Sequence, residues 1–429
     1  MQKRPKRGVS VGTLVMAVIT VAVAAGCAII LPLFDGHGSL RADRVLQAMS
    51  FTDERQEIAE IPLIASPAET AATPEQTPLP SATPQPTPST FKGGSFTVTA
   101  GGIVAVEKNV RQSEYDNDTG SYDYSGVFSF VSGQVTGDFT LVTMENLVNT
   151  ASGLSALVAP EEIFGMLTSG GVDAVALGFG RVYEYGYSGL SSTIMAAQSA
   201  GLEVLGSFLS DEEAAIPNAI QTVGGVKVAL LHCAESLTSK SRSNLRSDGR
   251  TWAVSTTQTI VDDIALAKRY GAQAVIVSVH WGSEGKTAPT NAQRQLAQQM
   301  ADAGADVILG SGARRVQTAQ WLQREDGGKT LCLYDLGCLI SDARTDGAVA
   351  GMLAQLTVDV DSAQRVTVRS ANYVPTYLWR QRDGSKYRYR LLDAGGEAPE
   401  GMSAADSKAM QKALKRVRDI MDDTPLEQE

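Results

Sequence analysis

Histidine is scarce in this sequence, with only His37, His232 and His280 among 429 residues. Imidazole is the commonest metal ligand in proteins, so a chain this poor in histidine has few ways to build a metal centre. Cysteine is almost as rare, at positions 27, 233, 332 and 338. Such wide spacing excludes a disulfide scaffold and a zinc ribbon.

Basic charge is also in deficit, with 37 Lys and Arg against 47 Asp and Glu and a net charge of −10. Four of those basic residues fall within the first seven positions, so the rest of the chain is more acidic still. Nucleic acid requires a basic face, and we therefore expect no nucleic-acid partner. The 43% apolar share is typical of a chain that folds around a core.

A charge-free apolar run follows the N-terminal basic segment, residues 1–8. About 20 apolar residues suffice to cross a bilayer, and preceding positive charge holds the N-terminus in the cytoplasm. We therefore predict a single transmembrane helix at 9–33, with the remainder outside the cell membrane. Two alternatives are a cleaved signal peptide, and a lipoprotein lipidated at Cys27, which follows small residues.

Proline is concentrated in one segment, since eight of the sixteen prolines lie between residues 62 and 88. Pro, Thr, Ser and Ala bury too little apolar surface to fold, and they favour an extended chain. We predict a disordered Pro/Thr-rich stalk at 62–90. The membrane-proximal segment 34–61 has no assigned function.

From Phe91 onward, apolar runs alternate with helical patterns, which predicts an α/β fold whose strands are covered on both faces. The predicted strands are residues 95–99, 139–142, 172–177, 202–205, 226–231, 274–279, 306–309 and 331–336. The predicted helices are residues 160–167, 191–200, 257–270, 291–303 and about 403–421.

Chemically useful residues follow several predicted strands, where ligands bind in such sheets. Glu145 follows one strand, and His280 and Glu284 follow another. Arg314 and Arg315 come after a third. We expect these side chains to approach one another at one edge of the sheet.

The order of these strand ends resembles the CapA family of bacterial poly-γ-glutamate capsule synthesis proteins, from about residue 91 to 342. The strongest stretches are residues 186–190 (GYSGL), 277–284 (VSVHWGSE) and 302–310 (DAGADVILG). The resemblance implies a calcineurin-like metallophosphoesterase fold, an α-β-β-α sandwich, at residues 91–378, followed by a C-terminal extension at 379–429. It also implies a role in synthesis or handling of a capsule or envelope polymer.

Several metal-binding positions of that family are replaced here. The family pattern has Asp at Gly102 and His at Arg181 and Arg314, and it keeps an acid at Glu145 and His at His280. A two-metal hydrolase needs several such ligands together. We therefore expect no bound metal and no hydrolysis. The alternative is a hydrolase that uses Mn, Fe or Zn on a reduced site of Glu145, His280 and Glu284.

The remaining residues allow more than one interpretation. Glu145 and Glu284 could form an acid/base pair, or they could be partners of nearby arginines. His280 could be a remnant ligand or a structural histidine. Cys332 and Cys338 could form a disulfide or remain buried thiols.

Three arginines stand at or beside the lost metal positions, namely Arg181, Arg314 and Arg315. Guanidinium cannot bind a cation, but its planar fork fits carboxylate or phosphate. One hypothesis is an anion-binding cleft for an anionic cell-surface polymer. The alternative is that these arginines pair with Glu145, Glu184 or Glu284.

Overall fold

The computed structural model describes residues 91–344, 347–384 and 386–422, which belong to one compact unit. The predicted anchor, membrane-proximal segment and stalk, with Cys27, lie outside these residues. Within the described ranges, no helix is both long and apolar enough to cross a bilayer.

The strands are β1 (Gly94–Val104), β2 (Tyr115–Asp116), β3 (Ser121–Tyr122), β4 (Phe139–Met144), β5 (Leu147–Val148), β6 (Val158–Ala159), β7 (Ala174–Ala176), β8 (Glu203–Leu205), β9 (Ile220–Val223), β10 (Val226–Ala234), β11 (Ala274–His280), β12 (Val307–Ser311), β13 (Ala319–Gln323), β14 (Lys329–Leu333), β15 (Cys338–Ile340), β16 (Ala350–Val360), β17 (Val366–Asp383) and β18 (Lys386–Asp393). The helices are α1 (Lys108–Ser113), α2 (Glu162–Ser169), α3 (Gly186–Ser199), α4 (Ser239–Ser247), α5 (Ile260–Arg269), α6 (Asn291–Asp302) and α7 (Ala404–Met421).

Two mixed sheets form the centre of the described unit. The larger has the order β18-β17-β16-β1-β4-β7-β8, with β15 also parallel to β1. The smaller has the order β13-β14-β12-β11-β10-β9. The run from β1 through β4 and β7 to β8 is parallel, as is the run from β10 through β11 to β12. The predicted α/β fold is confirmed.

The core is layered because both faces of the central strands are apolar. Val228 and Leu230 of β10 face the larger sheet and pack with its Val98 and Leu141. The alternate residues of β10 pack against α5 and α6. Helices α2 and α3 cover the outer face of the larger sheet in the same way. Each strand contributes to two apolar layers because successive side chains point to opposite faces.

Among the boundaries that differ from the sequence prediction, two change the description of the larger sheet. Strand β1 does not end before Gly101 but continues to Val104, because it pairs with β4 and β15 on either side of its last residues. The domain boundary predicted at residue 378 falls inside β17, which pairs with β18. Residues 379–393 therefore continue the larger sheet, and α7 packs on β16 and β17.

His232 links the two sheets from a buried position in β10. Its Nε2 donates to the carbonyl oxygen of Gly178 at 2.9 Å, and its Nδ1 accepts from Ser278 Oγ at 3.0 Å. Burial disfavours the charged ring and lowers the pKa of His232 to about 4. This histidine is a neutral structural residue at neutral pH.

We predict that His232 makes the fold less stable in acid. The pKa of about 4 lies below the ordinary histidine pKa of 6.5, so as the pH falls protons bind the unfolded chain first. The contribution is complete above about pH 6.5, falls as the pH drops towards about 4, and totals on the order of 3 kcal/mol. Urea unfolding over this range should show a flatter pH dependence for His232→Gln. Parallel curves for the two proteins would contradict the prediction.

Candidate functional site

Three strand ends from both sheets meet at Glu145. Glu145 follows β4 of the larger sheet, whereas His280 ends β11 and Arg314 lies just beyond β12 of the smaller sheet. His280 Nε2 donates to Glu145 Oε1 at 2.9 Å. Arg314 Nε donates to Glu145 Oε2 at 3.0 Å, and Arg314 Nη2 donates to the same oxygen. The structure thus brings together three of the predicted residues.

Arg314 is held by a second carboxylate. Its Nη1 donates to Glu107 Oε1 at 3.2 Å, and Glu107 Oε2 accepts the backbone N–H of Asp342 at 2.8 Å. The backbone of Arg314 is left-handed, with φ of 55°, an uncommon conformation for a residue with a side chain. Two acidic partners and a restricted backbone therefore fix this guanidinium.

The electrostatics of the cluster favour a permanent ion pair. The Glu145 side chain is only 10% exposed, and burial alone would raise its pKa. The hydrogen bond and charge of His280, followed by those of Arg314, outweigh burial and lower the pKa of Glu145 to about 2. Burial would lower the pKa of Arg314, but Glu145 keeps it above its usual value. A carboxylate this acidic is a poor general base at neutral pH.

The donor set does not fit the metal pair that the resemblance implies. A Cβ at Gly102 would collide with the carbonyl oxygen of Gly337 and lie 2.8 Å from that of Leu336, so an aspartate has no room there. Arg314 places a fixed cation against Glu145, the acid that the family pattern retains. Across the described ranges, no three His, Cys, Asp or Glu side chains are grouped so that they could hold a metal ion.

Of the other predicted site residues, Glu284 and Arg181 lie apart from this cluster, and Arg315 is the chain neighbour of Arg314. Glu284 is exposed, and no hydrogen bond or ion pair in the described ranges joins it to Glu145 or His280. Arg181 is 52% exposed and pairs with Glu184 at 3.2 Å, one helical turn along the chain. Arg315 donates to the carbonyl oxygen of Arg314 at 2.8 Å.

The contacts of these arginines match the alternative interpretation, and anion binding by the three together stays a prediction. Arg181 and Arg314 each have a nearer carboxylate partner, as the alternative interpretation expected. Anion binding at Arg314 would require displacement of Glu145 from a buried contact in which two N–H groups of the guanidinium share one carboxylate oxygen.

The cysteines of the described region are buried free thiols, at positions 233, 332 and 338. Cys332 and Cys338 therefore do not form a disulfide in this structure. Burial raises the pKa of both thiols, which makes them poor nucleophiles.

Asp335 was missed by the sequence analysis. It is fully buried, and its two carboxylate oxygens accept the backbone N–H groups of Ala313 and Gly337, each at 2.7 Å. Burial raises the pKa of Asp335 well above its usual range, against the effect of these two hydrogen bonds. Asp335 thus ties the loop of Arg314 to the turn that faces Gly102. The available signal was a lone acidic residue within the predicted apolar strand 331–336.

Residues 97–343 match the family described as bacterial capsule synthesis protein PGA_cap. Over 227 residues the chain is 30% identical to the PGA biosynthesis protein CapA of Bacillus subtilis, covering 47% of this chain and 57% of that protein. Over 190 residues it is 28% identical to the capsule biosynthesis protein CapA of Bacillus anthracis, covering 43% and 44%. The chain spans about half the length of these curated relatives.

A solved structure described as a novel phosphatase, from Mycoplasma pneumoniae, is 12% identical to this chain. The match covers 66% of this chain and 94% of that structure, with a TM-score of 0.38.

We predict strong coupling between Glu145 and Arg314. Glu145→Gln or Arg314→Gln alone leaves a buried charge without its partner and should cost about 3–5 kcal/mol of unfolding free energy. The double variant should cost clearly less than the sum of the two. The matched control is the exposed pair of Arg365 and Asp361, where Arg365→Gln should cost less than about 1 kcal/mol. Additive losses in urea unfolding would show that the ion pair does not couple the sheets.

Proposed function

This chain belongs to the family of bacterial capsule synthesis proteins, and from that premise we propose that it handles an anionic polymer by binding it, without hydrolysis. The polymer would be of poly-γ-glutamate type, because the B. subtilis relative is described as a PGA biosynthesis protein. In this proposal the protein is a membrane-anchored, extracytoplasmic pseudoenzyme that keeps a calcineurin-like metallophosphoesterase sandwich. The two-sheet core with helices on both outer faces supports that assignment.

The observation that carries the loss of hydrolysis is the position of Arg314. A binuclear hydrolase uses cations to polarise the substrate and to generate a nucleophilic hydroxide. Here a guanidinium, which cannot bind a water molecule and generate a hydroxide from it, neutralises Glu145 at the same edge of the sheets. In this proposal Arg314 compensates the charge of Glu145 at the strand ends, where a metal ion would do so in a hydrolase.

Membrane attachment rests on the sequence of the N-terminal segment. A charge-free run follows four basic residues, and a proline-rich segment then separates it from the folded unit. A domain held on such a stalk would meet polymer outside the membrane.

We predict that the purified full-length chain holds well under one equivalent of Mn, Fe or Zn. Because no ligand set contributes folding energy, chelators should leave its melting temperature unchanged. Elemental analysis measures the metal content, and thermal unfolding with and without chelator measures the change in melting temperature. Two tightly held equivalents would overturn the proposal in favour of the reduced-site hydrolase built on Glu145, His280 and Glu284.

We also predict that protease added to intact cells releases the folded unit by cutting between residues 62 and 90. An extended proline-rich chain is accessible, whereas the packed sheets resist cleavage. Immunoblotting for the C-terminal fragment before and after cell lysis measures the topology. Protection in intact cells with digestion only after lysis would place the unit on the cytoplasmic side.

A further inference from the structure

Helix α4 carries a concentration of positive charge that no part of the sequence analysis singled out. Lys240, Arg242 and Arg246 lie on the helix and are exposed, and Arg250 follows it. The chain as a whole has a net charge of −10, so a basic surface here runs against its overall composition. Asp248 is the one acidic residue between positions 239 and 250.

The local sequence explains why the cations face outward. Thr238 caps α4 by accepting the backbone N–H of Ser241 at 3.2 Å, and the buried face consists of Ser241 and Leu245. Arg242 and Arg246 are four residues apart, so they lie on one face about 6 Å apart along the axis. Ser243, which lies between them in the chain, is too short to screen either guanidinium.

Nearby carboxylates are engaged elsewhere. Asp248 Oδ2 accepts from Tyr183 at 3.0 Å and from the backbone of Tyr187 at 3.2 Å. Glu235 Oε2 accepts the backbone N–H of Gly282 at 2.8 Å. Glu184 is bound to Arg181 and Thr238. In the part of the chain that the structure describes, no ion pair is formed by the four cations of α4 and its C-terminal flank.

Aromatic rings position two of these cations without neutralising them. Lys240 Nζ lies 5.4 Å from the centre of the Tyr185 ring, and the Arg250 guanidinium lies 4.2 Å from that of Tyr187. Cation–π contacts of this kind orient a positive group and leave its charge available.

A concave surface accompanies the charge. Arg242 and Arg246 line a cavity of about 280 Å³ together with Glu235, Thr251, Thr256 and Gln258. Like charges four residues apart on a helix repel each other, and an anion seated between them would remove that repulsion. The guanidinium fork matches carboxylate in a bidentate manner.

We propose that α4, with Arg242 and Arg246 at its centre, binds successive carboxylates of a polycarboxylate chain. The inference rests on the proposed function for the choice of carboxylate over phosphate. Arg181 lies close to the N-terminal end of this surface, because its partner Glu184 also accepts from the capping residue Thr238. The residues of this surface are not those of the Glu145 cluster, although the cavity wall adjoins it, since the backbone N–H of Glu235 donates to the carbonyl oxygen of His280 at 2.8 Å.

The test is titration of labelled poly-γ-glutamate into the full-length chain in uncharged detergent. The Arg242→Gln/Arg246→Gln variant should bind at least about tenfold more weakly, and with a smaller dependence on salt, because two charge-assisted contacts are lost. The control, Arg365→Gln/Arg382→Gln, removes the same charge from exposed positions beside or within β17 and should bind as the wild type does. All variants keep the N-terminal basic segment, so differences report on the folded unit.

A second variant guards against misfolding, because Arg242 also donates to the carbonyl oxygen of Leu237. Arg246→Glu alters one exposed side chain, and it should weaken binding while leaving the melting temperature unchanged. Equal affinity of wild type and both α4 variants would overturn the assignment to α4 and leave the proposed function intact. Failure of the wild type to bind poly-γ-glutamate would overturn both. Preference for polyphosphate, lost in the same variants, would overturn the polycarboxylate assignment alone.

Discussion

The ion pair between Glu145 and Arg314 is the interaction on which the edge of the two sheets depends. Glu145 belongs to the larger sheet, and Arg314 and His280 belong to the smaller one, so their contacts close the sandwich across its core. A buried carboxylate is stable only when its charge is compensated. Without Arg314 and His280 the buried charge of Glu145 would be uncompensated, and Arg314 meets that need with a charge that belongs to the chain.

Close to this ion pair, two backbones approach each other at Gly102 and leave no room for a side chain there. Because β15 pairs with β1, the turn through Gly337 occupies the space that a side chain at position 102 would need. Asp335 holds that turn and the Arg314 loop through two backbone N–H groups. The missing side chain at position 102 and the Arg314 loop are therefore parts of one packing arrangement.

Much of the fold follows from sequence pattern, and the reasons are local. The apolar runs of β10, β11 and β12 are nearly continuous because both faces of these strands are buried. Helix α6 begins after its N-cap residue Thr290, which forms a capping box with Gln293. Strand β1 was predicted too short because Gly101 and Gly102 indicate a turn in isolation. Only their pairing with β4 and β15 makes them strand residues.

The contacts within the site were harder to predict from the sequence, because they join residues that lie far apart in the chain. The position of Arg314 after a strand was visible, but its contact with Glu107 joins residues more than 200 positions apart. Glu107 and Asp342 carry no motif that would select them. Helix α4 was missed because serine and arginine give little apolar periodicity, so only its placement against α3 shows which side chains face outward.

Charge distribution determines where an anionic chain can bind on an acidic protein. At the strand edge, the single charge of Arg314 faces two carboxylates, Glu145 and Glu107, so the surroundings of that guanidinium repel further anions. Around α4 the neighbouring acids are bound to backbone groups, hydroxyl groups and Arg181, while the cations of the helix face solvent. In our proposal the polymer therefore binds at α4 rather than at Arg314, whose charge is already compensated by two carboxylates.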